Sequence, residues 1–218
     1  MELWKFFIDL LFPITCIGCG KEGSFICEKC KNEIFNLKQE KTRYIDKLIS
    51  ISSYNNPIIK KAIHIFKYKL AKETSIPLGG IMAERLKHFI PKELINRLIL
   101  VPVPLNKRRL KYRGFNQSEI LAKEISKHTK IPVISNILIR KINTIPQVKL
   151  KNPKERKSNI KGAFGINQNL PYSNFSFQKK IIILVDDVAT TCATLNECAK
   201  ILKKLKPHQI WAIVIARG

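Results

Sequence analysis

The stretch that most constrains this chain is Ile181 to Leu195, IIILVDDVATTCATL. It opens with Ile181, Ile182, Ile183, Leu184 and Val185. A short, mostly β-branched apolar run of this kind reads as a strand buried on both faces. Asp186 and Asp187 follow at once, then the small and hydroxylated residues Ala189, Thr190, Thr191, Cys192, Ala193 and Thr194. Leu195, Ala199, Leu202 and Leu205 then recur at helical spacing. A buried strand, a small-residue loop and a helix start make a binding device. The loop N–H groups and the positive end of the helix dipole converge on one spot and suit a phosphate. The adjoining carboxylates accept hydrogen bonds from sugar hydroxyls or hold a divalent cation through oxygen.

Other segments supply more strands and helices. Leu48–Tyr54, Arg97–Leu105 (RLILVPVPL), Ile131–Ile139 and Ile210–Ala216 read as strands. Pro57 begins a helix that ends near Lys67–Lys69, and a further helix covers Leu78–Phe89. Strands alternating with helices predict an α/β fold with a mainly parallel sheet covered on both faces. The strand ending at Leu105 leads into a basic loop, in which Lys107, Arg108, Arg109, Lys111 and Arg113 surround Gly114 before a helix starts near Phe115. A basic loop at the end of a parallel strand is where such a sheet binds ligands, and arginine grips pyrophosphate or backbone phosphates with two bonds. Thr144–Gly165 is basic and broken by Pro146, Pro153 and Gly162, as suits a mobile hood over a site. Asn167–Gln178 reads as exposed connection.

The first part of the chain has a different character. Leu3, Phe6, Phe7, Leu10 and Leu11 predict an amphipathic helix over Glu2–Phe12. Then come Cys16-Ile-Gly-Cys19 and Cys27-Glu-Lys-Cys30. Two C-x-x-C pairs bring together four thiolates in a pattern that suits structural zinc, and the same ligands hold iron in other settings. Four cysteines close the coordination shell. Lys38–Arg43 reads as a polar linker, which divides the chain into a zinc module at 1–45 and a main domain at 46–218.

No apolar run reaches the roughly 18 residues needed to span a bilayer, and the first residues lack a basic start and a cleavage site, so the cytoplasm is expected. The formal net charge is +24 over 218 residues. Residues 1–45 carry seven basic and six acidic side chains, so nearly all the excess belongs to the main domain. That imbalance calls for a polyanionic partner, with nucleic acid the natural candidate.

The VDDVATTCAT stretch resembles the phosphoribosyl pyrophosphate (PRPP) motif of the type I phosphoribosyltransferases. The resemblance implies that Asp186 and Asp187 face the ribose hydroxyls and that Ala189–Thr194 cradle the 5′-phosphate, with Mg²⁺ accompanying PRPP. Cys192 stands where that family has glycine, and it fits if the backbone there is ordinary and the side chain points away. The longer series of motifs resembles the ComF family: the cysteine knuckle, FKYK at Phe66–Lys69, VPVPL at Val101–Leu105, RGFNQ at Arg113–Gln117, Pro146-Gln147, then Arg156, Asn159, Ala163 and Phe164, VDDVATT, and the closing ARG. This resemblance implies a zinc module joined to a phosphoribosyltransferase-like domain, with a role in handling single-stranded DNA during natural transformation. Phe115, Tyr112 and Tyr68 are the candidate base-stacking rings. Two other readings accompany it. One is a working phosphoribosyltransferase in which Arg109 and Arg113 meet pyrophosphate. The other is a zinc-organised module that docks a DNA helicase or translocation protein.

Overall fold

The computed structural model describes residues 13–35, 38–68, 71–142, 152–169 and 176–218. In chain order the elements are helix α1 (Glu28–Ile34), strands β1 (Lys38–Glu40) and β2 (Lys47–Ser53), helices α2 (Pro57–Tyr68) and α3 (Ala71–Phe89), and strand β3 (Leu98–Pro102). Helices α4 (Lys107–Arg113) and α5 (Gln117–Thr129), strand β4 (Leu138–Arg140), helix α6 (Pro153–Ile160) and strand β5 (Phe164–Ile166) follow. Strand β6 (Ile181–Ala189), helix α7 (Ala193–Leu202) and strand β7 (Gln209–Arg217) complete the series.

The main sheet runs in the order β1-β2-β7-β6-β3. β2, β7, β6 and β3 are parallel, and only β1 is antiparallel to its neighbour. This is the mainly parallel α/β architecture expected from the alternation of strands and helices. β6 lies inside the sheet, with Leu184 opposite Val101 on β3 and Ala212 on β7. Its side chains alternate between two cores. Ile181, Ile183 and Val185 join the layer containing α2, α3 and α5, whereas Ile182 and Leu184 join the layer containing α7 and the paired strands β4 and β5. All five are buried, and each aliphatic side chain removed from water contributes roughly 2 kcal/mol.

Four local expectations change. Lys38–Glu40, read as linker, pairs with Leu48–Ser50 as an edge strand. Ile131–Ile139 does not form one strand: Val133 makes a single bridge to Leu100, and β4 then pairs with β5 in a separate small sheet. The basic run after β3 is a helix, not a loop. Asn106 caps it by accepting a 2.9 Å hydrogen bond from the Arg108 N–H, and Gly114 ends it in the left-handed region at φ 77°. Lys, Arg and Leu between those signals are good helix formers. α3 also extends farther back than expected, to Ala71, with Pro77 inside it.

The helix expected over Glu2–Phe12 and the first part of the hood, including Pro146 and Gln147, lie outside the described residues. The described part of the hood holds α6 and β5. Among the described residues no helix is long and apolar enough to cross a membrane.

Candidate functional site

The C-terminal ends of β3 and β6 open on a cleft of about 320 Å³. Asp186, Asp187, Thr190 and Thr194 line it together with Arg109, Arg113, Gln117 and Ser118. Lys67 from α2 and Arg140 from β4 complete the polar wall.

The acidic pair is held by groups from distant elements. Asp186 Oδ1 accepts hydrogen bonds from the Ser118 hydroxyl and the Asp187 N–H, each at 2.9 Å. Asp187 Oδ1 accepts from the Val188 N–H at 2.7 Å, and its Oδ2 faces Lys67 Nζ at 2.9 Å. Burial, reinforced by the Asp187 charge, pushes the Asp186 carboxyl up to about 7. Burial works against the Lys67 charge, but Asp187 outweighs it and holds the ammonium above its ordinary range. One carboxylate of the pair is therefore matched by a fixed cation. The other is poised to accept hydroxyl donors or share a proton.

The basic helix presents two faces. Arg109 and Arg113, one helical turn apart, line the cleft, and burial followed by the charge of Arg113 lowers the Arg109 pKa. Lys107, Arg108 and Lys111 are exposed and lie outside the cleft lining. The five cations expected to act together are thus divided. Asn116 sets this geometry: it caps α5 through the Ser118 N–H at 3.2 Å and donates to the Val103 carbonyl at 3.1 Å, so the start of α5 faces Asp186. Gln117 is buried at the cleft wall, and its amide nitrogen has no hydrogen-bond partner among the described residues.

The expected phosphate cradle, Ala189–Thr194, joins β6 to the N-terminus of α7. Cys192 departs from the sequence expectation. Its backbone is left-handed, at φ 56° and ψ 11°, so this L-residue adopts the conformation that glycine takes readily. The conformation costs about 1 kcal/mol for a residue with a Cβ. It is sustained from two sides. The side chain is buried in the α7 core with Leu195 and Ala199, and the Cys192 carbonyl accepts hydrogen bonds from the Asn196 N–H at 2.8 Å and from Asn196 Nδ2 at 3.1 Å. Asn196 Oδ1 in turn accepts from Thr42 at 2.7 Å and the Tyr44 N–H at 3.3 Å. The thiol points into the protein, so the left-handed turn is kept without glycine.

Arg217, in the closing ARG, braces the same loop. Its Nη1 donates to the carbonyls of Ala189, at 3.2 Å, and Thr190, and its Nε pairs with Glu40 at 3.4 Å. Lys67, Ser118, Gln117, Arg140 and Arg217 were not assigned site roles from the sequence. Four of them lie in or beside quoted motifs (FKYK, RGFNQ and ARG), so the signal was present without an assignment. Arg140 carried no such signal.

Of the expected stacking rings, Phe115 packs against Phe66 with 6.4 Å between centroids. Tyr68 lies under the Arg113 guanidinium at 5.2 Å and against His64 at 5.1 Å.

At the other end of the chain, the sulfurs of Cys16, Cys19, Cys27 and Cys30 lie within 4.8 Å of one another. Cys19 and Cys27 are 3.6 Å apart, close to the roughly 3.8 Å between ligand atoms around a tetrahedral ion with 2.3 Å metal–sulfur bonds. The residues therefore fit a metal ion. Gly18 permits the approach, because a Cβ there would meet Cys30 Sγ at 2.7 Å and Ile58 at 2.9 Å. Cys16, Cys30, Ile26 and Ile34 join the α2–α3 core, so the knuckle packs on the sheet layer rather than standing apart.

A mainly parallel α/β domain with an acidic pair, a strand-to-helix cradle and a basic wall is phosphoribosyltransferase-like in type, and here it carries a four-cysteine knuckle. No family model matches the chain. It is 34% identical over 212 residues to competence protein F of Haemophilus influenzae, covering 95% of this chain and 86% of that protein. It is 26% identical to competence protein ComFC of Bacillus subtilis, covering 93% and 78% of the two chains. It is 30% identical to the DNA utilization protein YhgH of Escherichia coli, covering 77% and 71%. The chain belongs to the ComF family of competence proteins.

Proposed function

We propose that this protein serves DNA uptake in natural transformation by binding single-stranded DNA, and that its cleft takes a PRPP-type phosphate and ribose ligand. The observation that carries this reading is the segregation of charge around one cleft: acids from β6 face cations from α2, α4 and β4. Asp186 and Asp187 suit ribose hydroxyls, and Ala189–Thr194 at the start of α7 suits the 5′-phosphate. Mg²⁺ would accompany PRPP and neutralise its pyrophosphate. The names of the relatives and the +24 net charge support a DNA partner. Zinc is the ion that the four thiolates fit best, with a structural role because no coordination position is left for substrate.

Two titrations test the two halves. Oligonucleotide affinity falls steeply as salt rises if phosphates carry the contact. Calorimetry with PRPP and Mg²⁺ gives saturable heat. Absence of oligonucleotide binding even at low salt removes the DNA half, and absence of PRPP heat removes the ligand half.

A working phosphoribosyltransferase is the second reading, favoured by Arg109 and Arg113 lining the same cleft as the acidic pair. There the bond between the anomeric carbon and pyrophosphate breaks, the electron pair leaves with pyrophosphate, and fixed cations stabilise that charge. PRPP-dependent release of pyrophosphate on addition of candidate acceptors tests it. A third reading makes residues 1–45 a docking module for a DNA helicase or translocation protein. The near-neutral charge of that segment and the half-exposed Ile14 favour a protein contact there. Deletion of the segment that leaves partner capture intact would remove this reading.

A further inference from the structure

We infer that the nucleic-acid track runs over the outer face of α4, outside the cleft, with Tyr112 as its base-stacking ring; this rests on the proposal above that the protein binds single-stranded DNA. α4 is seven residues long and holds five cations and no acid. Helical spacing sorts them. Arg109 and Arg113 occupy the cleft side, while Lys107 with Lys111 and Arg108 with Tyr112 form two adjoining i, i+4 rows on the exposed side. Neighbours in each row stand about 5–6 Å apart at their Cβ atoms.

The aromatic residues distinguish the two sides further. Phe115 is packed on Phe66, and Tyr68 has Arg113 on it and His64 beside it. Tyr112 is 81% exposed and touches no other ring among the described residues. A large ring exposed between cations offers a flat surface on which a base can stack while lysine and arginine meet the backbone. The cleft suits a strand less well. Its acidic pair calls for hydroxyl donors, and deoxyribose lacks the 2′-hydroxyl. The division of α4 therefore separates two tasks: the inner arginines face a small phosphorylated ligand, and the outer face carries the strand. Charge complementarity with single-stranded nucleic acid selects this occupant over a protein or a duplex, because paired bases do not offer their faces to a side ring.

The test uses the full chain and an oligothymidylate titrated over a range of salt, with circular dichroism melting as the control for folding. Lys107→Ala with Lys111→Ala weakens binding roughly tenfold and lowers the salt slope by about 1.4, two phosphate contacts at about 0.7 each. Tyr112→Ala weakens binding by about 5- to 150-fold, Tyr112→Phe restores it, and neither change alters the salt slope. A duplex of the same length shows the lysine effect without the tyrosine effect. Wild-type affinity in the lysine and tyrosine variants, together with loss of binding in Arg109→Ala or Arg140→Ala, overturns the inference and places the strand in the cleft. Equal effects of Tyr112→Ala on strand and duplex overturn the stacking role. Failure of the wild-type chain to bind any oligonucleotide removes instead the DNA half of the proposed function, a result distinct from either of these.

Discussion

Two strand-to-helix connections, side by side at one edge of the sheet, divide the chemistry of the cleft between them. The end of β6 and the loop after it bring Asp186 and Asp187 and no base, whereas α4, in the connection after β3, brings five cations and no acid. Each connection contains one residue in the left-handed region, Cys192 at φ 56° and Gly114 at φ 77°. The acidic connection is half-buried, with Ala189 and Cys192 fully buried, and is tied down by Lys67, Ser118, Asn196 and Arg217. The basic one is held mainly at its ends, by Asn106, Gly114 and Asn116. A buried loop can hold a strained cysteine because packing over-determines it, while an exposed one uses glycine. The comparison teaches that the acidic wall is prearranged, and that the basic wall can adjust to its ligand.

Substitutions can break this contrast. The largest effect is expected from Asp187→Ala, which leaves Lys67 partly buried without its partner. Unfolding by urea should show a loss of about 3 kcal/mol. Arg113→Ala, on the adjustable wall, should cost less than about 1 kcal/mol. Equal costs would erase the distinction.

The next effect depends on pH. Asp186 titrates near 7 in the folded chain, far above its ordinary 3.8, so the folded state holds a proton that the unfolded chain releases. Its contribution to stability is therefore present below about pH 4 and is lost as pH rises from there through 7. Asp186→Asn should remove this decline, flattening the pH profile of the melting temperature between 4 and 7. An unchanged slope would show that the carboxyl is not held in this environment.

Smaller effects concern the two left-handed residues. Cys192→Val puts a β-branched side chain at positive φ and should destabilise by about 2 kcal/mol, whereas Cys192→Gly relieves strain but gives up buried contacts and should stay within about 1 kcal/mol of the parent. Gly114→Ala should cost about 1 kcal/mol from backbone strain alone, since a Cβ there meets nothing within 4 Å. A larger loss at Gly114 than in Cys192→Val would reverse the order of rigidity.

Much of this was legible in the sequence, for identifiable reasons. β6 and its helix were readable because a double-sided burial pattern, two acids and a small-residue loop are consecutive along the chain. The cysteine knuckle was readable because its ligand spacing is local. Lys67, Ser118, Arg140 and Arg217 were not read as site residues, because each is a single side chain brought to the cleft from a separate element. α4 was misread as a loop because a dense charge run masks helix propensity, although Asn106 and Gly114 were both in place as its boundaries. The left-handed Cys192 was unreadable for a physical reason: an L-residue at positive φ is sustained by Asn196 and the α7 core, contacts that exist only in the folded chain.

The most direct test of the central claim is calorimetric titration of the full chain with PRPP and Mg²⁺, alongside the Asp186→Asn plus Asp187→Asn variant. The account predicts saturable binding to the parent and at least a tenfold loss in the variant, of the order expected when hydrogen bonds to charged groups are removed. No heat from the parent, or equal affinity in the variant, would contradict it.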